Sequence, residues 1–223
     1  MSTRNLILAT LAFTICFYAW ALLGPLGPDL QEELELSDVQ TSTMVAVPVL
    51  LGSLMRIPLG WLTDRYGGRV VFTALMTFTP LPLIALALFH DSFASLLVFG
   101  FLLGFAGASF AVGVPHVNGW YTAERQGLAL GIYGMGMGGT VVAGLTAPGI
   151  ADEFGLSAPF WLAAALVAAM AVVWVLLARD APRAQPRTRP GMFSALAVFR
   201  TSGRAWALTL FYFLAFGGFV AMF

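Results

Sequence analysis

Six stretches of about twenty apolar residues, separated by short charged connections, run along this chain at about 6–26, 41–62, 70–89, 93–115, 127–150 and 158–178. A helix needs roughly 20 apolar residues to cross the hydrocarbon core of a bilayer, and lipid tolerates no exposed irregular backbone. A seventh stretch covers 205–223. These lengths predict an all-α membrane protein, a six-transmembrane-helix bundle followed by an incomplete seventh helix. Composition agrees: 59% of the 223 residues are hydrophobic and 10% are charged, whereas a water-soluble domain carries about 25% charged residues. A disordered or nucleic-acid-binding chain would be less apolar or strongly basic. The first stretch has features of a signal peptide, with Arg4 before it and Ala19-Trp20-Ala21 near its end. Its length and the five spans after it favour a retained helix.

The connections alternate in charge. Those after spans 1, 3 and 5 hold Asp29, Glu32, Glu33, Glu35, Asp38, Asp91, Asp152 and Glu153 and no Arg; the opposite side holds ten Arg, with Asp64, Glu124 and Asp180. By the positive-inside rule, the N-terminus and the Arg-bearing connections are expected in the cytoplasm of a multi-pass inner (plasma) membrane protein. The segment 179–204, with Arg179, Arg183, Arg187, Arg189, Arg200 and Arg204, reads as a cytoplasmic linker. It would separate a six-helix unit over 1–178 from the start of a further helix at 205–223. All basic residues are Arg, and the single cysteine, Cys16, can form no intramolecular disulfide.

Three features rise above plain apolar helix. Between spans 2 and 3 runs Gly60-Trp61-Leu62-Thr63-Asp64-Arg65-Tyr66-Gly67-Gly68-Arg69. Gly67 and Gly68 permit a tight turn with positive φ, and Asp64 is placed to cap a helix end or pair with an Arg such as Arg125. Arg56 is the second feature, the only Asp, Glu or Arg well inside a span. A guanidinium at membrane depth costs at least about 2.5–3.5 kcal/mol, so it is expected to face a cavity or a partner rather than lipid. Val49, Gly52, Ser53 and Gly60 share its helix face, leaving room beside it. With no carboxylate buried in these spans, the missing counter-charge is expected to be a substrate, and a planar fork of five donors suits an oxyanion. The competing reading is an Arg that snorkels to the interface. The third feature is glycine: Gly104 and Gly107 in span 4, and Gly131, Gly134, Gly136 and Gly139 in span 5, read as close helix-packing positions.

The pattern G-x-x-x-D-R-x-G-x-R between spans 2 and 3 resembles the signature loop of the major facilitator superfamily. Gly104-Phe105-Ala106-Gly107-Ala108-Ser109-Phe110-Ala111 and Trp120-Tyr121-Thr122-Ala123-Glu124-Arg125-Gln126-Gly127-Leu128-Ala129-Leu130-Gly131 are similar to spans 4 and 5 of its nitrate/nitrite porters. The stretch from Trp206 to Phe219 is also similar to the family. The resemblance implies a twelve-helix fold of two six-helix halves, so a second, C-terminal half is expected as partner. It implies that Arg56 binds the anion, that Phe110 stacks against it and that Tyr212 contacts it. Asp64, Arg65 and Arg69, with Gly60 and Gly67 of the loop and Arg125 beyond span 4, would form a gate latch. Where the family commonly reads G-N-x-G, this chain has Gly136-Met137-Gly138-Gly139, which leaves the identity of the anion open.

The expectation is therefore a secondary transporter of nitrate, nitrite or a similar small oxyanion, working by alternating access in a lipid bilayer. No cofactor, metal, nucleic acid or enzymatic activity is expected. The absence of an embedded carboxylate favours an antiporter exchanging one anion for another, or a proton site in the other half. His116 reads as a packed or interfacial histidine rather than a proton carrier. Two alternatives stay open: a carrier of organic carboxylates on the same fold, and a truncated membrane subunit that binds an anion without moving it.

Overall fold

The structure is a computed structural model that describes residues 1–182, 199 and 202–221. The chain divides into two compact units, Met1–Arg183 and Ala184–Phe223. Among the described residues every regular element is helical.

Six helices in the first unit are long and apolar enough to cross a membrane. They are span 1 (Ser2–Ala21), span 2 (Asp38–Tyr66), span 3 (Gly68–Leu88), span 4 (Phe93–Asn118), span 5 (Ala123–Phe154) and span 6 (Ala158–Leu177). Each lies within five residues of the boundaries expected from the charges, and the helices run past several of those charges: Asp64 and Arg65 lie in the last turn of span 2, and Glu124, Arg125, Asp152 and Glu153 lie inside the ends of span 5. One element was not expected, the short helix Gly27–Glu33, which starts with Pro28 in its first turn. Span 2 then opens on a reciprocal cap. The Gln40 backbone N–H donates to Ser37 Oγ at 3.4 Å, and the Ser37 backbone N–H donates to Gln40 Oε1 at 2.9 Å, satisfying two otherwise orphaned donors.

The prolines interrupt fewer helices than their number suggests. Pro48 and Pro58 lie inside continuous span 2, Pro115 and Pro148 inside the helices of spans 4 and 5. Only Pro80 marks a break, at Thr79 in span 3. The other two interruptions follow glycine-rich sequence: Ala108 in span 4, and a 3-10 turn at Met135–Met137 in span 5.

Side-chain-free positions join the helices in pairs. A Cβ at Gly104 would lie 2.8 Å from Leu51 Cβ and 3.0 Å from the Gly52 nitrogen, and one at Gly52 would lie 3.0 Å from the Gly104 carbonyl oxygen. Spans 2 and 4 are thus in backbone contact. Spans 1 and 5 meet the same way, since a Cβ at Gly139 would run into the Thr14 carbonyl and approach the Tyr18 nitrogen to 2.8 Å. Span 6 packs on span 3 through Phe72 and Trp174, whose ring centroids are 4.9 Å apart. The outward faces carry large apolar side chains such as Leu50, Leu54, Val98, Leu145 and Leu176, all exposed. Apolar surface on this scale needs lipid or another protein to cover it.

The second unit contains one described helix, Gly203–Ala221. Trp206 Nε1 donates to the Phe199 carbonyl at 2.9 Å, and the two rings meet edge to face at 5.1 Å. Of the linker expected over 179–204, residues 183–198, 200 and 201 lie outside the described residues, and with them Arg183, Arg187, Arg189 and Arg200.

Candidate functional site

Arg56 is half-buried in span 2. It stands ten residues before the end of its helix, about 15 Å along the axis at 1.5 Å per residue. One turn earlier on the same face, Gly52 is buried against span 4, where a Cβ would meet Gly104 and, at 3.6 Å, Gly107 Cα. Spans 2 and 4 run in the same direction, with Pro48 and Gly52 beside Gly104 and Gly52 beside Gly107. Continuing that register by one turn brings position 56 level with 110. Carried across the interruption of span 4 at Ala108, that register points to one layer for Arg56 and Phe110.

Phe110 belongs to an aromatic cluster whose other members the sequence reasoning missed. Its ring centroid is 5.6 Å from Phe13 and 5.9 Å from Tyr133, and Phe13 and Tyr133 stack at 4.8 Å. Tyr133 is fully buried and donates its hydroxyl to the Ser109 carbonyl at 3.0 Å; a Cβ at Gly113 would occupy the place of that hydroxyl. Phe13 continues to Phe17 at 4.4 Å and Phe17 to Trp20 at 5.1 Å. The signal was present in span 1, where aromatics at 13, 17 and 20 follow helical spacing and share one face. Tyr212 lies in the helix Gly203–Ala221 of the second unit, with its side chain exposed.

The loop between spans 2 and 3 is held by contacts within the first unit. Gly67 closes span 2 with φ of +95°, a conformation in which a side chain is strained. Asp64 is exposed in the last turn of span 2, and among the described residues no ion pair joins it to Arg125, which is also exposed. The helix-capping role expected of Asp64 falls to Asp180, just beyond span 6, whose Oδ1 accepts the Arg69 backbone N–H at 2.9 Å. Asp180 Oδ1 also lies 3.4 Å from Nδ1 of buried His116. The Arg69 guanidinium donates to the Val175 carbonyl at 2.7 Å, and the Arg69 carbonyl accepts Trp174 Nε1 at 3.1 Å. Arg65 lies over the Trp61 ring at 5.3 Å and Tyr66 at 5.6 Å. A Cβ at Gly60 would meet nothing within 4 Å.

The six candidate packing glycines separate into two groups. Gly104, Gly107, Gly136 and Gly139 are buried against Leu51, Trp20, Phe13 and the span 1 backbone respectively. At Gly131 and Gly134 an added Cβ would meet nothing within 4 Å, so contacts among the described residues do not require glycine there. Phase decides the matter: Gly131 and Gly134 lie off the strip that Gly136 and Gly139 turn toward span 1.

With this geometry in place, the model of the Major Facilitator Superfamily matches residues 9–223. The chain belongs to the Major Facilitator Superfamily. Its similarity to nitrate/nitrite porters, expected from the span 4 and span 5 motifs, is borne out among curated members of the superfamily. The chain is 40% identical over 219 residues to the probable nitrate/nitrite transporter NarK2 of Mycobacterium tuberculosis, covering 97% of this chain and 55% of that protein. It is 38% identical over 235 residues to the probable nitrate/nitrite antiporter NarK1 of Thermus thermophilus, covering 98% and 52%. The nitrite extrusion protein of Bacillus subtilis is 34% identical over 217 residues, covering 97% and 54%. The chain spans about half the length of these relatives. Among solved structures, a bacterial homologue of the human lysosomal transporter Spinster superposes with a TM-score of 0.73 at 20% identity, over 94% of this chain and 51% of that one. The POT family transporter PepTSo gives 0.65 at 16%, over 92% and 47%. These two likenesses concern the fold alone.

Proposed function

We propose that this chain is the N-terminal half, with the start of the seventh helix, of a secondary transporter for nitrate, nitrite or a similarly small oxyanion, and that Arg56 anchors the anion. The observation that carries this reading is the close approach of Gly52 to Gly104 and Gly107, one turn before Arg56 and Phe110 on their helices. A guanidinium carries five N–H donors, more than one neighbour uses, and is disfavoured against lipid. A planar oxyanion matches that fork, because its oxygens accept parallel N–H bonds from a guanidinium. The ring of Phe110 would form one wall, and Tyr212, brought by the second half, another. The names borne by the relatives, nitrate/nitrite transporters and antiporters, support the same substrate class.

Alternating access needs two halves rocking about a midplane site, and the length of the relatives, about twice that of this chain, supports a C-terminal six-helix partner. The N-terminus and the Arg-bearing connections would lie in the cytoplasm. Asp64, Arg65 and Arg69 at that face, with Arg125, are candidates for contacts that form and break against the second half. Without an Asp or Glu deep in the spans, exchange of one anion for another is the coupling we favour.

The test is flux through proteoliposomes containing the protein at its full natural length. Nitrate uptake driven by internal nitrite, without a proton gradient and resisting excess acetate or formate, is the expected result. Uptake that small carboxylates abolish would move the substrate to organic anions. Strict dependence on a proton gradient would end the exchange reading.

A further inference from the structure

We propose that Trp20, at the end of span 1, is a positioning residue that sets the spacing between Arg56 and Phe110; this rests on the oxyanion-site reading above. Trp20 is 8% exposed, and its indole edge occupies a notch between spans 2 and 4. A Cβ at Gly107 would lie 2.7 Å from Trp20 Nε1, and one at Gly52 would lie 3.7 Å from it. Gly52 is one turn before Arg56 and Gly107 one turn before Phe110, so the indole is seated on both helices immediately beside the layer where the anion binds. Trp20 also reaches Phe110 by a second route, through Phe17 and Phe13, with successive ring centroids at 5.1, 4.4 and 5.6 Å. One side chain of span 1 thus touches the helix of the charge and, by two paths, the helix of the ring.

Buried donors are almost always hydrogen-bonded, yet among the described residues no acceptor meets the buried Trp20 Nε1. The indole fits its notch closely by shape, against Gly107 and Gly52. Replacing it by Phe therefore removes bulk without orphaning an acceptor. Adding a methyl at Gly107 drives the opposite change, pushing the indole and span 4 apart. The two substitutions should compensate if spacing is what Trp20 controls.

The experiment measures nitrate uptake by the protein at its full natural length, with rates normalised to folded protein, for Trp20→Phe, Gly107→Ala and the double variant. A displacement of about 1 Å can cost up to about a hundredfold in a geometry-dependent step. Gly107→Ala is expected to raise KM about tenfold and Trp20→Phe about threefold, each with little change in maximal rate. The double variant should return to within about threefold of the parent. A merely structural role would lower the amount of folded protein and leave KM in place. If Gly107→Ala does not fold, Trp20→Phe alone decides: an unchanged KM overturns the proposal. A double variant no better than Gly107→Ala overturns it as well. Arg56→Lys is the control. If that variant transports normally, the site reading falls and this proposal with it; if it is impaired while Gly107→Ala and Trp20→Phe are normal, only this proposal falls.

Discussion

Asp180 Oδ1 accepts the backbone N–H of Arg69 at 2.9 Å, across 111 residues of sequence. Span 3 begins at Gly68 with Gly67 as its cap residue, and glycine has no side chain to satisfy the exposed N–H groups of the first turn. The end of span 6 supplies the missing acceptor, and its charge complements the positive end of the helix dipole. Caps of this kind contribute about 0.5–2 kcal/mol, and the charge itself about 0.3–1 kcal/mol. Asp180→Ala is expected to lower the thermal unfolding midpoint in detergent. Asp180→Asn, which keeps an acceptor oxygen, should lower it less. Equal midpoints for Asp180→Ala and the parent would show that this contact contributes nothing.

The glycine at position 67 answers to two demands, and a double-mutant cycle separates them. Its φ of +95° penalises any side chain, by about 1–2 kcal/mol. A Cβ there would also lie 2.6 Å from the Asp180 carboxylate. Gly67→Ala should therefore cost more in the parent than in an Asp180→Ala background, where only the backbone penalty remains. Unfolding midpoints of the four proteins measure the difference. Identical costs in both backgrounds would mean that the carboxylate moves aside freely.

Gly139 and Gly131 look alike in the sequence and should behave unlike one another in the protein. A methyl at Gly139 would penetrate the span 1 backbone at Thr14 and Tyr18, where no side chain can yield, and overpacking costs about 1–3 kcal/mol. A methyl at Gly131 meets nothing within 4 Å, and alanine is the better helix former by about 1 kcal/mol. Gly139→Ala is expected to destabilise the fold, measured by unfolding midpoint and detergent-solubilised yield. Gly131→Ala should leave both unchanged or raise them. Destabilisation by Gly131→Ala would place a packing partner against that face.

That contrast marks what the sequence carried and what it did not. The spans were legible because the bilayer imposes a length scale and excludes charge, so Asp91, Glu124 and Asp152 mark boundaries without reference to any contact. Arg56 stands out for the same reason, as the one Asp, Glu or Arg well inside an apolar stretch. Helix phase relative to a neighbour is not encoded locally, so Gly131 and Gly139 could not be told apart. The pairing of Asp180 with Arg69 has no local signature either; Asp64, nearer in the chain, was the natural candidate and is instead exposed. Aromatics at 13, 17 and 20 did announce a common face, but only the packing of spans 1 and 4 gives that face a role beside Phe110.

Arg56→Lys distinguishes an anion fork from an interfacial anchor. A snorkelling Arg lends its charge to the interface, and Lys does this equally well through its long flexible stem, so an anchor would survive the exchange. A fork would not. Lys keeps the unit charge but presents a compact ammonium that cannot offer two parallel N–H bonds to a planar oxyanion. A hydrogen bond to a charged group contributes about 1.5–3 kcal/mol, and each 1.4 kcal/mol is about tenfold in affinity. Loss of one such bond predicts a fall in nitrate affinity of roughly ten- to a hundredfold, read as a raised KM for nitrate in proteoliposomes. Lys is no bulkier than Arg, so the exchange adds no volume at position 56. Loss of affinity in the Lys variant, with its unfolding midpoint unchanged, would then belong to the shape of the donor and not to a collapsed site.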